Sequence, residues 1–271
     1  MREPETIAMS DYLEQPKEVK RIMFDLKGKS AIVTGGGTGI GELIAKAFVE
    51  AGASVVISGR RENILKEAAA RMGGEKVLTV VADVTKRGDV DNLVEKASNK
   101  FGKIDILVNN AGINVVKPFL NMSEAEWDSV IDTSLKGCFN CCQAIGKGMV
   151  ERKSGSVINI TSVFGLVGFM NISPYITSRG GIVQFTKALA VEWGRDNVRV
   201  NAIAYSYMRA GLAFQNIEAD ERILKQNLRM IPMGRGGEPH EVPGVAVFLA
   251  SDASTFVTGD TIPVDGGWTA W

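Results

Sequence analysis

Hydrophobic positions follow two alternating patterns from Lys29 onward. Short runs rich in β-branched residues predict strands, and they alternate with amphipathic stretches of helical length. The predicted strands are residues 30–34, 54–58, 77–81, 104–109, 156–161, 199–203 and 261–264. The predicted helices are residues 40–51, 62–72, 86–101, 134–151 and 175–193.

The strand runs are almost continuously apolar, which is typical of strands covered by helices on both faces. Alternation of such strands with helices predicts an α/β, doubly wound fold around a seven-stranded, mostly parallel sheet. The connections are expected to be right-handed crossovers. No internal repeat or linker divides the pattern, so we expect a charged N-terminal extension, residues 1–27, followed by one domain, residues 28–271.

Composition narrows the functional classes. The 271 residues include 31 basic and 31 acidic side chains, so the chain has no net charge. Because it also lacks a block of basic residues, it is a poor candidate for nucleic-acid binding. The charged N-terminus does not resemble a signal peptide. The longest uncharged stretch, residues 154–178, contains asparagine, proline and hydroxyl residues, which argues against a membrane span. The expected location is the cytoplasm.

The three cysteines lie within five residues. Cys138, Cys141 and Cys142 have the spacing of one helix face, so small buried side chains are favoured over a disulfide framework or a zinc site. The single histidine, His240, stands near a predicted helix start and is interpreted as an exposed residue. No metal site is predicted.

A glycine-rich turn joins the first predicted strand to the first helix. The segment contains Gly35, Thr38, Gly39, Ile40 and Gly41. A dinucleotide pyrophosphate requires free N–H groups at a helix N-terminus and little side-chain bulk. Gly35 is expected to permit the turn, Gly39 to let the backbone approach phosphate, and Gly41 to let the helix pack on the strand. A tight connection without any ligand is the alternative.

The end of the second strand bears on cofactor choice. An acidic residue there suits the ribose of NAD, whereas an arginine suits the 2′-phosphate of NADP. The chain has Arg60 and Arg61 at this point and no acidic residue before Glu62. NADP(H) is therefore favoured, with NAD(H) possible. A solvated arginine at the helix start is the alternative.

Further motifs occur in register with this turn. They are Asp83-Val84, Asn109-Asn110-Ala111-Gly112, Ser162, Tyr175 and Asp265-Gly266-Gly267. With the glycine-rich turn they resemble the short-chain dehydrogenase/reductase family, from about residue 26 to the C-terminus. The resemblance implies a one-domain Rossmann fold, NAD(P)-dependent interconversion of carbonyl and alcohol, and a homo-oligomer.

The resemblance also implies roles for the cofactor motifs. Asp83 and Val84 would flank the adenine. Asn110, Ala111 and Gly112 would line the cofactor beside the fourth strand, and Tyr175 and Arg179 would also contact it.

Two hydroxyl residues are expected to carry the reaction. Carbonyl reduction places negative charge on the oxygen, where Ser162 and Tyr175 can both donate hydrogen bonds and Tyr175 can also give a proton. A free tyrosine has a pKa of about 10, so a nearby cation is needed. The family supplies a lysine four residues later, where this chain has Arg179. Arginine keeps the charge and can hold the ribose, but it does not release a proton.

Other departures from the family pattern occur around the same pocket. Ser134 stands where the family has an asparagine that helps to hold a relay water. Tyr205-Ser206 replaces Pro-Gly after the sixth strand, and Ala210 replaces a threonine. That loop borders the nicotinamide in the family, so Tyr205, Ser206, Tyr207 and Ala210 are expected in the nicotinamide or substrate pocket.

The primary hypothesis is an NADP(H)-preferring oxidoreductase with a reshaped pocket. Its substrate would be a small carbonyl compound or alcohol, and the C-terminal Asp-Gly-Gly ending is a pointer to sugar acids or polyols. The alternative is a catalytically impaired subunit that binds cofactor and stabilises an active relative in a hetero-oligomer. Non-redox chemistry in the altered pocket is a third hypothesis. No nucleic-acid or membrane partner is expected.

Two further predictions concern the C-terminal part. Trp268 and Trp271 are expected either at a dimer or tetramer interface or in packing within the chain. Residues 207–232 are expected to form a lid over the substrate.

Overall fold

Seven strands form one sheet in the computed structural model, which describes residues 24–74, 76–210 and 221–271. The strands are β1 (Ser30–Thr34), β2 (Ser54–Gly59), β3 (Val77–Val81), β4 (Ile106–Asn109), β5 (Gly155–Ser162), β6 (Val198–Tyr205) and β7 (Thr261–Val264). Their order is β3-β2-β1-β4-β5-β6-β7. Every described strand pair is parallel, so the predicted fold is confirmed.

Helices connect these strands and cover both faces of the sheet. They are α1 (Gly39–Glu50), α2 (Glu62–Arg71), α3 (Arg87–Phe101), α4 (Glu124–Ile131), α5 (Gly137–Glu151), α6 (Ser173–Trp193), α7 (Glu221–Arg229) and α8 (Glu241–Ala250). A π-helical turn, Asp132–Lys136, joins α4 to α5. Among the described helices, none is long and apolar enough to cross a membrane.

The strand order reverses at β1, which is hydrogen-bonded to β2 on one side and β4 on the other. In doubly wound sheets, ligands bind at the carboxyl ends of the strands next to such a reversal. The glycine-rich turn after β1 and the end of β4 lie at this point, so the fold places the predicted cofactor motifs in one crevice.

The core has two layers, one on each face of the sheet. Ile44 and Phe48 of α1 pack on one face, and Leu93 of α3 and Met149 of α5 pack on the other. Leu26 is fully buried in the first layer. The remainder of the predicted N-terminal extension, residues 1–23, lies outside the described residues.

Several predicted boundaries were wrong where the chain approaches the site. Strand β5 continues to Ser162 and β6 continues to Tyr205, so both residues are part of the sheet. Strand β4 begins at Ile106 rather than at residue 104. The helix predicted from residue 134 begins instead as the π-helical turn, helices α4 and α7 were not predicted, and only the start of α8 was.

Candidate active site

The glycine-rich turn has the backbone that its sequence predicts. Gly35 and Gly39 have φ values of +63° and +56°, a region that side chains strongly disfavour. A Cβ on Gly41 would lie 2.3 Å from Asn110 Nδ2 and 2.4 Å from the Gly35 carbonyl oxygen. The absence of a side chain at Gly41 therefore allows close contact with the turn and with the end of β4, rather than with the strand as predicted.

Hydrogen bonds join this turn to the end of β4. The Asn110 side chain donates to the carbonyl oxygens of Thr34 (3.0 Å) and Gly35 (3.2 Å). The Thr34 hydroxyl in turn accepts from the backbone N–H groups of Asn110 (3.0 Å) and Ala111 (3.1 Å). Asn110 and Ala111 thus fix the walls of the crevice. Thr34 was not predicted from the sequence, although its position at the end of β1 was an available signal.

The start of α1 has room for an anion. Thr38 is the residue before the helix, yet its side chain makes no capping hydrogen bond. Ile40 points into the core. The first N–H groups of a helix carry partial positive charge and require an acceptor. These residues fit the pyrophosphate of a dinucleotide. The first N–H groups of α1 have no side-chain cap, and the glycines of the preceding turn place no side chains in front of them.

Arg60 and Asp83 lie within electrostatic range of each other near this turn. Arg60 is exposed at the end of β2, and Asp83 follows β3. Burial disfavours ionisation of Asp83, but hydrogen bonds from Thr85 and the charges of Arg60 and Lys86 outweigh it and lower the pKa of Asp83. The sheet thus brings Arg60 and Asp83, two residues predicted at the adenosine end, close enough to interact.

Val84 follows Asp83 and is buried. Its carbonyl oxygen accepts a hydrogen bond from the Asn140 side chain at 2.8 Å, and its side chain packs against Gly137, where a Cβ would lie 2.6 Å away. Val84 is therefore packed between the end of β3 and α5.

Ser162 is the last residue of β5 and is almost fully buried. Its hydroxyl oxygen accepts a hydrogen bond from the backbone N–H of Phe164 at 3.2 Å. That contact leaves the hydroxyl proton available to a ligand, since the oxygen uses a lone pair and not its hydrogen.

Tyr175 and Arg179 lie one helical turn apart on α6. The Arg179 guanidinium carbon is 4.8 Å from the centroid of the Tyr175 ring, which is a cation–π contact. Arg179 Nη1 donates to the carbonyl oxygen of Ile160 at 2.7 Å. The side chain is only 5 % exposed, and its Nε has no hydrogen-bond partner in the described part of the chain. Arg179 is thus a buried cation held against the tyrosine.

Ser134 lies in the π-helical turn beside this cation. Its hydroxyl is buried without a hydrogen-bond partner among the described residues. A Cβ built on Gly112 would lie 2.5 Å from Arg179 Nη2 and 3.2 Å from Ser134 Oγ. Gly112 therefore allows the end of β4, the π-helical turn and α6 to approach closely, and the fold brings Ser134 and Arg179 together.

The residues after β6 have different environments. Burial and the nearby Tyr175 raise the pKa of Tyr205 to about 12, against the opposing charge of Arg179. The Ser206 hydroxyl donates to the Asp265 carbonyl oxygen at 3.2 Å. Tyr207 is buried in an apolar cluster. Ala210 packs partly buried at the edge of the first core layer; the next ten residues of the predicted lid, 211–220, lie outside the described residues.

The C-terminal segment packs onto the same side of the fold. The Asp265 carboxylate accepts hydrogen bonds from the backbone N–H groups of Gly267 and Thr269 and from the Thr269 hydroxyl. Trp268 is buried and makes an edge-on contact with Phe164, with ring centroids 5.7 Å apart. Trp268 therefore serves packing within the chain, whereas Trp271 is 79 % exposed.

A cleft of about 560 Å³ lies beside the carboxyl ends of β6 and β7. Its lining includes Ser206 and Asp265, together with Arg235 and Glu241, which form a two-pronged ion pair at 2.7 and 2.9 Å. This cleft could not be predicted from the sequence, because its walls come from segments far apart in the chain.

The cysteines and the histidine lie outside the site. All three thiols are buried, and Cys142 accepts a hydrogen bond from the Asn109 side chain at 3.2 Å. His240 is exposed at the start of α8, as predicted.

Comparisons with known proteins agree with this geometry. A family model described as enoyl-(acyl carrier protein) reductase matches residues 35–269. The 3-oxoacyl-(acyl-carrier-protein) reductase FabG of Chlamydia muridarum is 41% identical over 249 residues, which cover 89% of this chain and 98% of the relative. The 2-dehydro-3-deoxy-D-gluconate 5-dehydrogenase of Dickeya dadantii is 40% identical over 251 residues, with coverages of 91% and 98%.

Solved structures agree as well. A gluconate 5-dehydrogenase from Burkholderia cenocepacia J2315, crystallised with NADP and tartrate, superposes with a TM-score of 0.87 at 34% identity and covers 92% of this chain and 98% of that one. Fold, site and relatives together define an oxidoreductase with a dinucleotide crevice. The chain belongs to the short-chain dehydrogenase/reductase family.

Proposed function

We propose that the protein is an NADP(H)-dependent oxidoreductase that interconverts a carbonyl and a secondary alcohol through an active site with Tyr-x-x-x-Arg in place of Tyr-x-x-x-Lys. The observation that carries the proposal is the buried guanidinium of Arg179, 4.8 Å from the centre of the Tyr175 ring. A buried cation in this position stabilises a phenolate and so favours proton transfer.

Each residue has a defined task in this proposal. NADPH, when bound, supplies the hydride. Ser162 donates a hydrogen bond from its hydroxyl to the carbonyl oxygen, and Tyr175 transfers the single proton that this oxygen gains. Arg179 supports the charge on the tyrosine oxygen, and its Nη2 group, which lies next to Gly112, would bind the ribose. Ser134 offers its unpaired hydroxyl to the same region.

Proton supply differs from the family pattern. Arginine does not deprotonate at physiological pH, so Arg179 contributes charge and hydrogen bonds but no proton. The proton that Tyr175 gives up is therefore replaced through solvent or another hydroxyl, without passage through the side chain at 179.

The preference for NADP(H) rests on Arg60. This side chain is exposed at the end of β2, where an adenosine 2′-phosphate would lie. A guanidinium binds phosphate with charge-assisted hydrogen bonds. The NADP in the Burkholderia gluconate 5-dehydrogenase supports the same choice.

The substrate class is a small oxygenated molecule such as a sugar acid or a polyol. Support comes from two relatives named for 2-dehydro-3-deoxy-D-gluconate and gluconate. The FabG relative is named for a 3-oxoacyl group on a carrier protein, which makes acyl thioesters the main competing class.

We propose a homo-oligomer, a dimer or a homotetramer, in the cytoplasm. Support for self-association comes from exposed apolar side chains on the two long helices, Phe139 of α5 at 46 % and Val191 of α6 at 85 %, because exposed apolar side chains on neighbouring helices are typical of interfaces.

Native mass spectrometry with NADPH and with NADH, followed by a screen of carbonyl substrates, tests the proposal. We expect a homo-oligomer with one NADPH per chain and oxidation of NADPH by at least one hydroxylated ketone or keto acid. Preference for NADH would overturn the role of Arg60. An oligomer that takes up no cofactor, or binds it without turnover, would favour the impaired-subunit alternative, which the enzyme names of the relatives do not support.

A further inference from the structure

Tyr205 occupies the last position of β6, directly beside Ser162 at the end of β5. The two residues are paired in the parallel register of the sheet. Neighbouring positions of paired strands project to the same face and lie about 4.8 Å apart. The phenol of Tyr205 and the hydroxyl of Ser162 therefore arise from one edge of the sheet and on one face of it.

The phenol of Tyr205 also lies within electrostatic range of Tyr175 and Arg179, and its strand partner is Ser162, so Tyr205 stands beside the residues proposed to bind the reacting oxygen. Within the described ranges, the Tyr205 hydroxyl makes no hydrogen bond. The pKa of about 12 keeps this phenol protonated at neutral pH. It is a hydrogen-bond donor without a partner in the described protein.

Ser162 and Tyr175 suffice to bind one substrate oxygen in the proposed reaction. A substrate with that oxygen alone leaves the phenol of Tyr205 unpaired in a partly buried pocket. A site built to hydrogen-bond a substrate oxygen discriminates strongly against the analogue that lacks it.

We infer that Tyr205 is a specificity-determining residue, whose phenol donates a hydrogen bond to a hydroxyl on the carbon next to the reacting carbonyl. This inference rests on the proposed function and narrows its substrate class to α-hydroxy carbonyl compounds. The proline that the family resemblance leads one to expect here offers no such donor.

Kinetics with a matched pair of ketones test the inference. The probes are 1-hydroxy-2-butanone and 2-butanone, each reduced with NADPH by the wild type, by Tyr205→Phe and by the control Thr177→Ala. Thr177 is an exposed hydroxyl residue on α6, so the control removes a hydroxyl near the site but outside the pocket. The phenylalanine variant keeps the ring and loses only the donor.

We expect the wild type and the control to prefer the hydroxyketone. Tyr205→Phe should lower kcat/KM for the hydroxyketone by about tenfold or more, mainly because KM rises. The kcat/KM for 2-butanone should stay the same. An equal fall for both ketones, or no fall for either, would overturn the inference while leaving the proposed function intact.

A binding measurement separates the two claims. If the wild type reduces neither ketone, the proposed function fails for these substrates. Isothermal titration of the NADP⁺-loaded wild type and Tyr205→Phe with 1-hydroxy-2-butanone then still tests Tyr205. Weaker binding to the variant supports its role as a donor, and equal or absent binding contradicts it.

Discussion

The guanidinium of Arg179 lies against the ring of Tyr175, with its central carbon 4.8 Å from the ring centroid. The same side chain donates to the Ile160 carbonyl oxygen at 2.7 Å, and the Thr161 hydroxyl donates to the Arg179 carbonyl oxygen at 3.0 Å. These two contacts tie α6 to β5, so the position of the cation is set by the sheet. Attraction between the cation and the ring face then holds Tyr175 in place.

Replacing this cation tests whether charge is the property that matters. Arg179→Lys keeps a positive charge and restores the family residue, so we expect equal or higher turnover. Arg179→Met removes the charge, and kcat should fall by about 10²-fold, the loss typical of removing one preorganised stabilising group. Steady-state kinetics of the two variants measure the difference. A large fall in the lysine variant would mean that the pocket depends on the shape of arginine and not on its charge.

Arg60 is expected to set the cofactor preference. Arg60→Ala should weaken NADPH binding by about 10- to 100-fold, the effect of losing a charge-assisted hydrogen bond, and leave NADH binding unchanged. Fluorescence titration with each cofactor provides the measurement. Arg61→Ala is the matched comparison, because Arg61 is the neighbouring cation. A selective loss in that variant instead would move the role to Arg61.

The turn after β1 should not tolerate a side chain at Gly41. In Gly41→Ala, the new Cβ meets Asn110 and the Gly35 carbonyl oxygen at 2.3 and 2.4 Å, so we expect about 1–3 kcal/mol of lost stability and weak NADPH binding. Gly88→Ala is the control, because Gly88 lies in the exposed first turn of α3 with nothing within 4 Å of its Cβ. That variant should be as stable as the wild type or slightly more so. Thermal unfolding without NADPH measures the stability of each variant, and the rise in unfolding temperature on adding NADPH reports cofactor binding. If the two variants had the same stability and the same rise, the role of Gly41 would be refuted.

Tyr205 predicts a loss of stability at high pH. Its pKa is about 12 in the folded protein, against about 10 in an unfolded chain. Between these values the unfolded state releases this proton and the folded state does not, so the free energy of unfolding falls as pH rises. Urea unfolding from pH 9 to 12 should show a steeper decline in the wild type than in Tyr205→Phe. Parallel curves would contradict the raised pKa.

The sequence predicts the sheet and the glycine-rich turn that lines the crevice well, because both depend on local patterns. The strand cores are continuous apolar runs, and the glycine positions require backbone freedom that can be recognised in a motif. Ser162 and Tyr175 could be proposed as site residues for a similar reason, since a family motif specifies them by spacing.

Features that depend on distant contacts could not be predicted. The pairing of Ser162 with Tyr205 requires β6 to extend to Tyr205. The apolar pattern predicted a strand that ends two residues earlier, at residue 203. Ser134, in the π-helical turn, lies near Arg179 of α6 and Gly112 at the end of β4, and this contact joins segments that are far apart in the sequence. The burial of Arg179 likewise follows from packing, because nothing in the local sequence distinguishes it from a surface arginine.

The central claim is that Tyr175 transfers the proton in an NADP(H)-dependent reaction. The most direct test compares NADPH oxidation by the wild type and by Tyr175→Phe with a carbonyl substrate that the wild type reduces, together with NADPH binding to each. We expect turnover to fall by about 10²- to 10⁴-fold, as for loss of a general acid, while NADPH binding falls far less than turnover and the unfolding temperature stays the same. Unchanged turnover in Tyr175→Phe would contradict the account.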